Sequence, residues 1–551
     1  MLMRGGEYGG GAALTWKDRA NRARSWSAVG AAAMWLVFAL VLLVIGALTA
    51  LAPLFVVRLA PLVLIPVVIA IAMLARRSDE PDQRLGLRWL TVMLAVFSLF
   101  PTYMIFKAGS LPAVDVRRVV AILSLLALTY LLASRPTVRR HFTGDGDRAT
   151  AWVGLCIGGY VTWRIASSFV TPFPMYGIIN TGWDVLYYYG MYFVAICLFQ
   201  GERSGAGVMR ALFLMMVGIA ALVVVERLKG INPLVVYAPK GGTGGPIDAI
   251  AAMQSISRDR DGQFRAQGTF EHPITLAEYA SIVSCFAAAA LLWPGRRAGK
   301  VLAAAALAAS LGCIALSGSR SGLVCAGIGM LLVFVLWMYR AREEQSSTGV
   351  FFKQVLVVST LAGVLLATAP VLLLLTQGRS YTEYHSSMMR ARMLQRGLPS
   401  VLENPVIGSG IGMAGRIAGE VGRKGVITLD NQMLGIALES GVPAVLLFVA
   451  SLVIPAIRAA VAVLSRPGPQ AAFLAGGVGV MAVLVVIRGT MWLSTNLTIG
   501  YLIAGMMMLL ARRRAEPAPG GVPADPPPAG RHAGRFVAAA AASRAGRVTA
   551  A

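Results

Sequence analysis

Arginine dominates the two long hydrophilic stretches of this 551-residue chain, 227–273 and 377–432. They carry Arg227, Arg258, Arg260, Arg265, Arg379, Arg390, Arg392, Arg396, Arg416 and Arg423, with Lys229, Lys240 and Lys424. Against these stand eight carboxylates: Asp248, Asp259, Asp261, Glu271, Glu383, Glu403, Glu420 and Asp430. A guanidinium stays charged in a low dielectric and grips phosphate through two parallel hydrogen bonds. The expected chemistry is therefore recognition of a phosphate- or pyrophosphate-bearing substrate.

Further arginines lie in or beside apolar runs. Arg320 stands in Leu316-Ser317-Gly318-Ser319-Arg320-Ser321-Gly322, where small neighbours let an anion approach the backbone. Arg164 lies deep in an apolar run, and Arg58 and Arg488 fall in or at the ends of others. A charge there needs a partner or water, so each is expected to pair internally or to line a cavity. Glu403-Asn404-Pro405-Val406-Ile407-Gly408-Ser409-Gly410-Ile411-Gly412 is a glycine-rich turn whose N–H groups could form an anion nest. Asp430 suits a helix N-cap. Glu439, nine residues on, is expected to pair with an arginine of a neighbouring helix. Asp259-Arg260-Asp261 has carboxylate spacing that a metal could use but is also an ordinary loop tripeptide. His141 and His532 fall on expected cytoplasmic segments, His272 and His385 on exoplasmic ones, and no His/Cys cluster has zinc spacing.

The elements that must position these residues follow from composition. Hydrophobic residues make up 57% of the chain and charged ones 14%, against about 25% charged in a soluble protein. Mean hydropathy is +0.69. These values exclude a soluble enzyme, a disordered chain and a small disulfide scaffold. Apolar runs of about 17–25 residues recur, the length that spans a bilayer core. The expected fold is all-α, a polytopic transmembrane bundle of about 12–14 spans. The spans are expected near 29–49, 52–75, 89–106, 119–133, 150–171, 183–199, 211–226, 274–293, 301–317, 322–339, 354–376, 433–457, 471–488 and 490–511. The five cysteines all fall inside such runs and read as small core residues. The run after Ser27 is too long for a cleavable signal peptide.

Net charge is +25. With the N-terminus inside, cytoplasmic segments hold 30 Lys/Arg and exoplasmic loops 16, which fixes the orientation because basic residues favour the cytoplasmic side. Nucleic acid is not an expected partner. The expected organisation is a cytoplasmic arm (1–28), membrane helices (29–226), a first periplasmic loop (227–273), more helices (274–376), a second loop (377–432), closing helices (433–511) and a Pro/Ala/Gly/Arg-rich cytoplasmic tail (515–551). Both termini are expected in the cytoplasm.

The order of motifs is specific. Arg265-Ala266-Gln267-Gly268-Thr269-Phe270-Glu271-His272-Pro273 precedes a span; Ser317-Gly318-Ser319-Arg320-Ser321-Gly322, Arg390-Ala391-Arg392, the Glu403-Asn404-Pro405 turn and Asp430-Asn431 before Gly441 follow. Over about 265–460 this resembles the bacterial O-antigen ligase and polysaccharide polymerase (Wzy-type) superfamily. The resemblance implies a metal-independent glycosyltransferase of the bacterial inner membrane, with no cofactor. Its donor would be an undecaprenyl-pyrophosphate-linked oligosaccharide, its acceptor a glycan or lipid, and its partners a chain-length regulator and a flippase. It further implies that Arg265, Arg320 and Arg390 or Arg392 hold the pyrophosphate, with Arg164 a further substrate-binding candidate. Ligases carry His-Asn where this chain has Asp430-Asn431, so a polymerase is expected, with a ligase as the alternative. Asp430 is the candidate general base and His385 the second. A transporter would place paired charges at the midplane of corresponding halves; here charge gathers in two one-sided loops.

Overall fold

A computed structural model describes residues 83–102, 116–142, 147–198, 204–236, 259–260, 263–340, 381–421, 427–465, 470–492 and 494–512. The spans expected at 29–49, 52–75 and 354–376, and Arg58, Asp261 and the tail, lie outside the described residues.

The fold is all-α. Its helices are α1 (Gln83–Leu99), α2 (Val116–Ser134), α3 (Pro136–Phe142), α4 (Arg148–Ser168), α5 (Pro174–Asp184), α6 (Gly190–Leu198), α7 (Ser204–Lys229), α8 (Pro233–Val236), α9 (Pro273–Leu292), α10 (Arg297–Ser317), α11 (Arg320–Arg340), α12 (Tyr381–Glu403), α13 (Ala414–Ala418), α14 (Gln432–Ser465), α15 (Ala471–Arg488) and α16 (Leu497–Arg512). The described residues also hold two antiparallel hairpins of two-residue strands: β1 (Asp259–Arg260) with β2 (Gln263–Phe264), and β3 (Glu420–Val421) with β4 (Ile427–Thr428). Helices α2, α7, α9, α10, α11, α14 and α15 are long and apolar enough to cross a membrane, and the apolar parts of α1 and α16 are shorter.

Helices α9 and α15 form the centre, with 78% and 83% of their apolar stretches buried. Small residues allow the close approach this demands. Cys285 of α9, Gly329 of α11 and Gly479 of α15 meet at one point. All five cysteines are buried and none forms a disulfide, as expected of small core residues. The outer helices turn Trp152, Leu155, Val301, Leu446 and Ile457 outward, an apolar surface that suits lipid.

Several elements differ from expectation. The run expected as one span at 183–199 begins at Pro174 and contains a π turn, Val185–Tyr189, between α5 and α6. The stretch 377–432 holds α12, α13 and the second hairpin. The last helix begins at Leu497, and residues 489–492 and 494–496 are non-helical instead of the expected start of a span. The causes are local. Pro174 opens α5 at its first turn, where a missing N–H costs nothing. Asn496 is spent on Glu278 and on the Thr275 carbonyl.

One buried ion pair locks the centre. Arg488 at the end of α15 bonds Glu278 of α9, and both are essentially without solvent exposure. Asn496 donates to the other carboxylate oxygen at 3.0 Å. Arg488 therefore pairs internally, one of the two roles expected of it. Removing one member of such a pair leaves an uncompensated buried charge. Arg488→Met is expected to destabilise the protein by about 3–5 kcal/mol. Arg488→Met combined with Glu278→Leu should recover most of that loss, read as thermal unfolding of the purified protein in detergent.

Candidate functional site

The glycine-rich turn forms the roof of the site. Ser409 and Gly410 donate their N–H groups to the carbonyls of Leu438 (2.7 Å) and Glu439 (2.9 Å) on α14. Val442 returns a bond to the Pro405 carbonyl at 2.8 Å. The indole of Trp163 on α4 bridges the carbonyls of Val406 (3.1 Å) and Ser440 (3.0 Å). Such docking needs α14 to open its backbone, and it does so at Gly441 (φ 78°, ψ 175°), a conformation only glycine holds easily. A Cβ there would also run into the Val406 and Pro405 carbonyls. The turn's glycine and Ser409 N–H groups are thus spent on the protein itself and do not form an anion nest. Gly412 even donates to the Glu439 carboxylate, at 2.9 Å.

Beneath the roof lies an ionic cluster. Arg164 of α4, 6% exposed, faces Asp184 at 3.5 Å and Glu439 at 3.6 Å. It also donates to the Tyr160 hydroxyl at 3.0 Å. Glu439 therefore pairs with an arginine of a neighbouring helix, as its sequence position implied. Asp184 was missed by sequence reasoning, because it stood at the edge of an expected span, where a charge calls for no explanation. It immediately precedes the π turn. The wider turn aligns residues five apart, so Asp184, Tyr188 and Tyr189 reach the same space.

That space is an open chamber of about 220 Å3, lined by these groups together with Tyr176, Asn180, Trp183, Ile411, Gly412, Gln432, Trp492 and Ser494. Trp183 stacks on Tyr187 with centroids 5.8 Å apart, and Arg118 sits over both rings. Trp492 lies against Gly435 so closely that any Cβ would meet its ring. A second cavity of about 880 Å3 shares Tyr176, Asn180, Ile411 and Gly412 with the chamber. It adds Pro172, Phe173, Pro174, Met175 and Ile179 as apolar wall, and Arg416, whose guanidinium lies 5.5 Å from the Phe173 ring centroid.

The residues singled out from sequence divide into three groups. Arg390 and Asp430 meet at 3.3 Å, and Arg390 also reaches Met491. Asp430 stands two residues before the chamber-lining Gln432, and Met491, which Arg390 reaches, precedes the chamber-lining Trp492. Asp430 is not the N-cap expected of it: Asn431 caps α14, accepting from the Leu434 N–H at 3.0 Å. Arg265 and Arg320 gather at a different corner. Arg265 is buried and donates to the Ser317 carbonyl at 2.7 Å, while the Ala266 N–H bonds the Leu316 carbonyl, so both satisfy the end of α10. Ser319 caps α11 through the Gly322 N–H at 3.2 Å, which leaves Arg320 exposed on the first turn. Arg392 and His385 form the third group. Both are exposed on α12, and Arg392 turns to Met388 of its own helix. Neither lines the chamber.

Two further carboxylates hold the strip 265–272, unforeseen from sequence. Glu226 of α7 accepts the N–H groups of Gln267 (3.1 Å) and Gly268 (2.8 Å). Glu271 accepts from Thr495 and Thr275. His272 caps α9 through the Ile274 N–H at 3.2 Å. Among the described residues no group of three or more His, Cys, Asp or Glu side chains has metal-binding geometry.

Residues 304–449 match the O-antigen ligase family. The matched stretch falls within the 265–460 region whose motif order resembles the same superfamily. No curated protein matches the chain. The stretch that matches the family contributes the roof, Glu439, Gln432 and the Arg390–Asp430 pair. Arg164, Asp184, Trp183 and Trp492 complete the chamber from outside it.

The roof depends on the break in α14. Gly441→Ala should destabilise the protein by about 2–4 kcal/mol through backbone strain and overpacking. Limited proteolysis should then cut within 404–412, where the wild-type chain resists.

Proposed function

We propose that the chain transfers glycan from an undecaprenyl-pyrophosphate-linked oligosaccharide to an acceptor hydroxyl, at the periplasmic face of the bacterial inner membrane. The observation that carries this reading is the chamber itself. The stretch that matches the O-antigen ligase family closes its glycine turn over a polar, aromatic cavity at one end of an otherwise apolar bundle.

The chemistry needs three things. An acceptor oxygen attacks the anomeric carbon of the donor, its proton leaves, and the carbon–oxygen bond to the pyrophosphate breaks with the electron pair going to the leaving group. Arginine already in place stabilises the charge that grows on the pyrophosphate. Arg390, beside the chamber, is assigned that role, with Arg320 and Arg265 as a second basic corner. Asp430, adjacent to Arg390, is assigned as the general base. His385 lies on the exposed face of α12 and ranks behind it. A single displacement of this kind inverts the anomeric centre. The apolar wall of Phe173, Met175 and Ile179 suits the isoprenoid chain of the carrier, with Arg416 beside it. No step in this scheme calls for a metal ion.

Polymerisation of repeat units is the preferred reading, from the Asp430-Asn431 pair where ligases have His-Asn. Transfer of finished glycan to lipid A-core or another acceptor is the second, favoured by the description of the matching family. Deletion of the gene separates them on gels of lipid-linked and surface glycan. Product cut to a single repeat unit supports polymerisation, and full-length chains stranded on the carrier support ligation. Unchanged glycan would contradict both.

Arg390→Ala should lower transfer by about 100-fold or more, the scale of losing a donor to a developing anion. Arg392→Ala should stay within about threefold, the range expected when no transition-state contact is lost. A chelator should leave the rate unchanged, and loss restored by a divalent ion would contradict a metal-free mechanism.

A further inference from the structure

The charge inside the chamber does not suit a pyrophosphate. Among the described residues Arg164 is the one cation lining it, and two carboxylates face it at 3.5 and 3.6 Å. Formally the cluster is negative by one charge. An entering pyrophosphate would meet Asp184 and Glu439 before it could use an arginine already engaged by both. The remaining lining is of a different kind. Trp183, Trp492, Tyr176 and Tyr188 offer flat apolar surface, and Asn180, Gln432 and Ser494 offer neutral hydrogen bonds. Gln432 is 4% exposed, and its side-chain oxygen has no hydrogen-bond partner. A buried acceptor left unpaired costs free energy unless a ligand donates to it.

We propose that this chamber is the acceptor subsite, holding an uncharged terminal sugar ring while the donor pyrophosphate stays outside it. Ring C–H faces lie against the tryptophans, and hydroxyls bond Asn180, Gln432 and Asp184. Of the two carboxylates Asp184 is the one open to a ligand: its side chain is 27% exposed, against 6% for Glu439. Glu439 is held by the Gly412 N–H. Asp184 therefore accepts a hydrogen bond from a sugar hydroxyl and orients it, and Arg164 positions Asp184. The assignment rests on the transfer reading above and deepens it by naming what the chamber takes.

Two probes test it on the full-length protein in detergent. One is the host's glycan repeat unit released from its carrier, free of lipid and phosphate; the other is inorganic pyrophosphate. The oligosaccharide should produce a saturable change in tryptophan fluorescence that Trp183→Phe combined with Trp492→Phe abolishes. Asn180→Ala should weaken that binding at least tenfold, and should raise the acceptor KM while the donor KM holds. Excess pyrophosphate should not displace the oligosaccharide. Displacement by pyrophosphate, or wild-type binding by Asn180→Ala, would overturn the assignment. If gene deletion alters surface glycan but the oligosaccharide does not bind, the subsite alone falls. If deletion leaves glycan unchanged, the transfer reading falls whatever the oligosaccharide does.

Discussion

A carboxylate placed well inside an apolar helix must be neutralised by something, and much of this site exists to satisfy that demand at Glu439. One oxygen takes the Gly412 N–H at 2.9 Å and the other faces Arg164 at 3.6 Å. The first bond ties the glycine turn to α14, and the second ties α4 to α14. The backbone carbonyl of the same residue accepts from Gly410 and from the Ser167 hydroxyl. Three elements distant in sequence are thereby fixed around one residue. Gly441 makes this geometrically possible by breaking α14 where the turn docks.

The same logic repeats across the bundle. Glu278 with Arg488 joins α9 to α15, and Glu226 gathers the backbone of Gln267 and Gly268 at the end of α7. Each acidic group ties its own helix to a segment distant in sequence. Buried charge is costly in an apolar surrounding, so each pair specifies which helix ends meet. In the chamber, ring side chains and an uncommitted amide are added to the ions.

Much of the fold was legible because its signal is one-dimensional. Long apolar runs report helices without reference to their neighbours, and α2, α7, α9, α10, α11 and α15 fall close to where those runs predict. The partner of Glu439 could be foreseen in kind, since an acid at that depth needs a base. It could not be foreseen by number, because Arg164 lies on a different helix far away in sequence. Asp184 was invisible for a related reason. Its importance comes from the π turn that follows it and from the arginine opposite, neither of which hydropathy reports. The glycine turn was recognised as a backbone feature, but its ligand is the protein's own α14. The arginines were found by type, yet type alone could not divide Arg390, beside the chamber, from Arg392, two residues on and facing away.

Glu439 assembles the site through two separate bonds, and two substitutions tell them apart. Transfer of lipid-linked glycan would be measured for purified, monodisperse Glu439→Gln and Glu439→Ala proteins. The amide can still accept from Gly412 while losing its charge toward Arg164, so Glu439→Gln should retain a reduced but measurable rate. Glu439→Ala loses both bonds and should fall by about a further tenfold or more, equivalent to about 1.4 kcal/mol of lost organisation. Wild-type transfer by the alanine variant would contradict the account.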